Sequence, residues 1–195
     1  MGLDTAGHSK WVTYCRAQGI GYFVFSGAAG NSFYVAGEFS GPTYVANDTL
    51  RLTGSAVTNS FIAKYDSNAH IIWLHRIYCD SIMTCSGKTD AEGYTYLIGS
   101  YSGRAAFGND TITAVSTNDM FIARYDPDGN YMWSKTVPNG NCSSIATDTA
   151  GNLYISGYLG LGTINFDTIT VTSGSADNFF VAKLSPPLRQ WFRDT

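Results

Sequence analysis

The strongest constraint on this chain is that it repeats itself. Its four tryptophans, Trp11, Trp73, Trp133 and Trp191, are spaced by 62, 60 and 58 residues. FIAKYD (Phe61 to Asp66) recurs as FIARYD (Phe121 to Asp126) and FVAKLS (Phe180 to Ser185). FYVAGEFSG, TYLIGSYSG and LYISGYLG begin at Phe33, Thr95 and Leu153, and NDTLRL, NDTITA and FDTITV at Asn47, Asn109 and Phe166. An acidic turn, TDAEG at Thr89 and TDTAG at Thr147, is SGAAG at Ser26 in the first copy. Markers that return in one order at a fixed period define a tandem-repeat architecture of about 60 residues per unit.

Each unit reads as short strands rich in Val, Ile, Thr, Tyr and Phe, bounded by Gly, Asn or Asp. No window carries a sustained 3.6-residue period, so the expectation is an all-β chain with few helices or none. FIAKY has Phe61, Ala63 and Tyr65 on one strand face and Ile62 on the other. Apolar residues on both faces mean a sheet covered on both sides, as when small sheets stack around an axis. Gly37, Gly99 and Gly157, each late in a Tyr-containing strand, mark a place where backbones crowd. The period is long for a β-solenoid. The expected fold is therefore a β-propeller type of tandem blades of antiparallel strands.

The order GNxYxxG, xFGxxTI, DxFIAKYDxxGNxxW resembles the bacterial β-propeller repeat abbreviated SBBP, most clearly from Gly93 to Trp133. The resemblance covers nearly the whole chain and implies four-stranded blades in a secreted or surface protein of bacteria. It implies no activity. Two departures stand out: the first copy lacks the acid before Gly30, and the last has SPPLR where the second has DPDGN.

LDTAGHSKW near the start matches YDSNAHIIW and YDPDGNYMW. The expected organisation is thus a terminal strand of an incomplete blade in residues 1–15, blade 1 in 16–75, blade 2 in 76–136 and blade 3 in 137–195. Closed propellers need about four blades or more. Three full blades and a spare strand do not close a ring, so either the chain continues elsewhere or neighbouring copies supply the missing edges. Open sheet edges and apolar faces favour association.

Composition narrows the partners. Charged residues make up 14% of the chain and aromatic residues another 14%, against roughly 25% charged in an average domain. A net charge of −3 offers no footprint for nucleic acid or anionic membrane. No apolar run reaches transmembrane length, and the N-terminus lacks the regions of a signal peptide.

Few residues suggest chemistry. Of Cys15, Cys79, Cys85 and Cys142 none forms a Cys-x-x-Cys pair, and no zinc set emerges with the three histidines. Cys79 and Cys85 are the candidate disulfide, with buried thiols as the other reading. Asp126, Asp128 and Asn130 resemble the first half of a calcium loop, but the equivalent turns lose oxygens, so a hairpin turn is the expectation. His8 and His70 are equivalent turn residues, and His75 is read as structural. Glu38, Glu92, Asp80, Asp90 and Asp148 are carboxylates that could pair across a propeller mouth, as a glycosidase needs. Asp90 and Asp148 are repeat-equivalent, which favours structural hydrogen bonding, and no nucleophile, metalloprotease or phosphate-loop motif occurs. No catalytic, cofactor or metal residue is assigned. The sequons at Asn47, Asn109 and Asn141 need only a structural reading. Tyr44, Tyr78, Tyr101 and Tyr158 are the aromatic candidates for binding a sugar or protein. The expectation is a non-enzymatic structural or binding module at a bacterial surface, self-assembling with other copies, with a polysaccharide-binding adhesin as the alternative.

Overall fold

Turn residues cut this chain into short strands, and the strands carry enough apolar residues to be stacked rather than laid open. The computed structural model describes residues 2–3, 6, 8–11, 15–16, 21–26, 32–45, 48–50, 59–166, 169–174 and 178–185. Among these there is no helix. The chain opens with β1 (Gly2–Leu3), β2 (Ser9–Trp11) and β3 (Cys15–Arg16), then β4 (Gly21–Ser26), β5 (Phe33–Phe39), β6 (Thr43–Val45), β7 (Asp48–Leu50) and β8 (Asn59–Tyr65). A long strand, β9 (Ile71–Thr89), leads to β10 (Thr95–Phe107), β11 (Asp110–Thr113), β12 (Asp119–Tyr125) and β13 (Tyr131–Val137). The last set is β14 (Gly140–Thr147), β15 (Leu153–Leu159), β16 (Gly162–Phe166), β17 (Ile169–Ser173) and β18 (Asn178–Leu184).

The fold is all-β, built of propeller-type blades of antiparallel strands. Blade 1 runs β4, β5, β8 and the first part of β9; blade 2 runs the rest of β9, then β10, β12 and β13. Blade 3 shows β14, β15 and β18, and Trp191, expected on its last strand, lies outside the described residues. The 75/76 border falls inside β9, which pairs with β8 up to Ile77 and with β10 from Tyr78 onward. The NDT markers, read above as part of the strand series, form a satellite hairpin on each blade: β6 with β7, the end of β10 with β11, and β16 with β17.

Alternation on the third strand of each blade decides where the core sits. On β12, Met120 and Ile122 face forward into a cluster shared with Ile145, Leu153, Ile155 and Phe180 of blade 3. Phe121, Ala123 and Tyr125 face back into a cluster shared with Tyr34, Ile62, Trp73 and Ile77 of blade 1. All seven residues of β12 are buried. A third cluster, around Val35, Phe39, Phe61 and Tyr65, lies on the rear of blade 1.

One turn design closes the hairpins. In Asp66–His70, Asp126–Asn130 and Asp148–Asn152, the aspartate Oδ1 accepts from the backbone N–H two and four residues on, at 2.8–3.0 Å. In Asp90–Tyr94 the same pair of bonds measures 3.1 and 2.9 Å. The fourth residue takes a positive φ: 89° at Gly93, 88° at Gly129, 78° at Gly151 and 64° at Ala69. That is a turn followed by a left-handed bulge residue, the geometry of a short hairpin loop.

Candidate functional site

Cross-strand register builds the surface on which one blade meets the next. The second and third strands oppose Tyr34 to Lys64, Tyr96 to Arg124 and Tyr154 to Lys183. In every blade the cation lies over the tyrosine ring, with centroid distances of 5.8, 5.4 and 5.6 Å. Arg124 also covers Tyr94 at 3.9 Å. Such pairs contribute about 0.5–1 kcal/mol when exposed and more when desolvated. Three positions before the cation, on the other face, the register opposes Gly37 to Phe61, Gly99 to Phe121 and Gly157 to Phe180. In blade 3 the phenylalanine ring fills the space above its glycine. At Gly157 a Cβ would fall against the Asn141 carbonyl and 2.8 Å from the Phe180 ring.

Between blades 1 and 2 the forward face of blade 1 receives the rear of blade 2. Trp73 meets Tyr34 edge-on at 5.7 Å and stacks with Tyr125 at 6.2 Å. It lies against the turn glycine Gly129, whose added Cβ would come 2.7 Å from the indole. Lys64 Nζ donates to the Pro127 carbonyl of that turn at 2.9 Å. His75 stacks on Tyr125 at 5.8 Å. Burial between these rings holds its imidazole below the ordinary 6.5, although Gly129 and Asp126 pull the other way. Trp133 meets Tyr96 at 6.4 Å in blade 2, the counterpart of the Trp73–Tyr34 contact.

The same face of blade 3 is exposed at its described residues. Its opposed pairs are Tyr158–Phe179, Ser156–Val181 and Tyr154–Lys183. Phe179 is 76% exposed and Val181 68%, whereas their counterparts Met120, Ile122, Ser60 and Ile62 are each at 0%. Tyr158 is 56% exposed, against 2% for Ser100. On β18 the forward residues 179, 181 and 183 are exposed, while the rear residues Phe180 and Leu184 are buried. Full burial of a side chain such as Phe or Val contributes on the order of 1.5–3 kcal/mol.

The residues singled out from the sequence fall mostly into these packing roles. Phe61, Phe121 and Phe180 are buried, as are Trp73 and Trp133. Trp11 is half-buried. The DPDGN stretch is a turn: both Asp126 oxygens are taken by its own donors, Oδ2 by the Asn130 amide at 2.9 Å. Those bonds outweigh burial and hold the carboxyl below 3.8. Asp148 is held low in the same way, first by the Asn152 side chain, and Asp66 by the His70 backbone. Asp90 accepts from the Tyr96 hydroxyl at 3.2 Å and Asp148 from Tyr154 at 3.1 Å. The first copy, lacking the acid, has no such bond to give Tyr34. Asp80 accepts from the Arg104 backbone at 2.8 Å.

Two expectations are corrected. Cys79 is a buried thiol outside any disulfide, pushed up to about 12 chiefly by burial. It shares the continuous strand β9 with Cys85. Six residues of extended strand span about 20 Å, far beyond the roughly 4.4–6.8 Å a disulfide needs between Cα atoms. Tyr101, grouped with the exposed aromatics, is 1% exposed and hydrogen-bonds Thr136 at 2.7 Å. Tyr44 and Tyr78 are exposed as expected. What sequence reasoning missed is the cation opposite each tyrosine. Lys64, Arg124 and Lys183 were legible as a repeated charge, but their tyrosines are paired by register alone.

A cleft of about 500 Å³ lies between blades 1 and 2, lined among others by His75, Arg76, Tyr78, Asp110, Tyr131 and Met132. Among the described residues, no group of three or more His, Cys, Asp or Glu is placed to hold a metal ion, and no helix is long and apolar enough to cross a membrane.

No protein-family model matches the chain. The chain is similar to an uncharacterized WD repeat-containing protein of Acanthamoeba polyphaga mimivirus, 27% identical over 154 residues. The similarity takes in 67% of this chain and 11% of that protein, so the chain spans about a tenth of its relative's length. WD repeats are four-stranded propeller blades, and the likeness agrees with a β-propeller-like repeat.

Proposed function

We propose that this chain is a non-enzymatic scaffold or binding module of propeller-type blades that assembles with other copies of itself through an open blade face. The observation that carries it is the contrast at one set of repeat positions: Ile62 and Ile122 are at 0% exposure and Val181 at 68%. A face that two blades bury and the third leaves bare has the composition of an interface. The resemblance of Gly93 to Trp133 to bacterial surface repeats supports an extracellular or cell-surface setting, where a head-to-tail subunit builds filaments or layers.

Light scattering across a concentration series tests this. The native mass is expected to rise with concentration, and Phe179→Asp with Val181→Asp to hold it at one chain. A parent chain that stays at one-chain mass at the highest concentration overturns the reading.

A second reading draws on the cleft between blades 1 and 2 and on the length of the viral relative. In it the chain is one part of a larger adhesin or polysaccharide-binding propeller. Tyr78 and Tyr131 offer ring faces, while Asp110 and Arg76 offer hydrogen bonds, a lining suited to a sugar. Saccharide binding by a chain that stays monomeric marks this reading.

A further inference from the structure

We infer that the cleft between blades 1 and 2 takes an acidic saccharide, with Arg76 holding the sugar's carboxylate and Tyr78 offering a ring face beside it. This rests on the saccharide reading of that cleft and names the class of sugar.

The repeat separates the lining residues that a blade requires from those it does not. Asp110 recurs as Asp48 and Asp167, so it belongs to the satellite hairpin. Arg76 and Tyr78 do not recur. The register opposes Phe61 to Arg76 in blade 1 and Phe121 to Thr136 in blade 2. Two residues further on, Tyr78 stands where blade 2 has Pro138. A side chain that the repeated fold does not call for is where a site grafted onto that fold shows itself.

The fold also leaves Arg76 short of acceptors. In blade 2 the equivalent Thr136 shares a hydrogen bond of 2.7 Å with the Tyr101 hydroxyl. In blade 1 the place of Tyr101 is taken by Phe39, which has no hydroxyl, and the guanidinium lies over that ring at 5.8 Å. It also lies over the Tyr78 ring at 5.1 Å, and its Nη1 donates to the Tyr78 hydroxyl at 3.3 Å. A guanidinium has five donors. Arg76 Nε is buried without a partner, and among the described residues no carboxylate pairs with this side chain. Two rings therefore hold the planar fork in place, and an unpaired fork matches a carboxylate. Because the side chain is already ordered, little entropy is lost when the carboxylate arrives. The surroundings suit a sugar ring. Tyr78 is 44% exposed, and Tyr131 and Asn130 line the same cleft of about 500 Å³, most of which a small anion would leave empty. Asp110 is exposed and forms no ion pair with Arg76, so its oxygens accept from sugar hydroxyls.

The test is titration calorimetry of the full chain with oligosaccharides of galacturonic, glucuronic and mannuronic acid. Each is compared with its methyl ester, which keeps the sugar backbone and removes the charge. At least one acid is expected to bind about tenfold more tightly than its ester, the effect of one charge-assisted hydrogen-bonded contact. Arg76→Met is expected to bring the ratio of the two affinities to about one. Arg76→Lys, which keeps the charge and loses the fork, is expected to leave the ratio in between. Circular dichroism and melting confirm that both variants are folded, and the parent's ratio is decisive by itself where one is not. Sodium acetate at the same carboxylate concentration is expected not to displace the oligosaccharide. If the esters bind as tightly as the acids, or Arg76→Met keeps the ratio, the inference falls and the saccharide reading stands. If acetate displaces the sugar, the cleft holds small anions and the inference falls too. If no member of the panel binds in either form, both readings fall together.

Discussion

At Ala69 a side chain occupies a backbone conformation that three equivalent turns give to glycine. Its φ is 64°, beside 88° at Gly129, and a left-handed residue with a Cβ costs roughly 1–2 kcal/mol. Part of that is offset by glycine's extra freedom in the unfolded chain. Ala69→Gly is therefore expected to raise stability by about 0.5–1 kcal/mol. The reverse change at Gly129 adds a clash to the strain, because the new Cβ meets Trp73 and, at 2.9 Å, His75 Nε2. Gly129→Ala should cost about 2–4 kcal/mol. Urea unfolding of the two variants beside the parent checks both signs at once.

At the scale of the element, β9 joins two blades and carries the residues that wedge them. His75 lies on it between Trp73 and Tyr125. Nε2 sits beside Gly129 without reaching hydrogen-bond geometry, so burial wins and the neutral ring is favoured. Below the ordinary value of 6.5 the unfolded chain takes up a proton that the folded chain resists. Stability from this group is present above pH 6.5 and declines as pH falls through the lower folded value. Thermal midpoints from pH 7.5 to 5 should fall in the parent. They should fall less in His75→Phe, which keeps the stack and removes the titration. An equal slope in the two proteins would remove His75 as the source.

At the scale of the whole molecule, stability in a stack of blades is shared between neighbours. Blade 2 has a blade on each side, and its third strand is buried at every residue. Among the described residues, blade 3 has a neighbouring blade on one side only. Amide exchange should therefore be slowest on Asp119–Tyr125 and fastest on Asn178–Leu184 among the three equivalent strands. Conditions that drive assembly should slow exchange in the Asn178–Leu184 strand above all others. Unchanged exchange there in an assembled sample would mean that this face is not the contact.

The repeat, the strands and the turns were legible in the residues because each is a local matter. Two-residue alternation, a β-branched or aromatic run, and Asp-x-x-Gly-Asn at its end act over a few residues of chain. Burial of FIAKY on both faces was readable for the same reason. Other features depended on which strands meet. Lys64, Arg124 and Lys183 found their tyrosines through cross-strand register, and Cys79 and Cys85 were separated by the unbroken run of β9. The NDT markers left the blade series for a hairpin of their own. An open face somewhere was expected from the blade count, but its place on blade 3 was not legible in the sequence. FVAKL reads like FIAKY, and what distinguishes Val181 from Ile62 is a second sheet about 10 Å away. The strand's own residues determine that it can bury two faces; only the tertiary arrangement decides whether something is there to bury them.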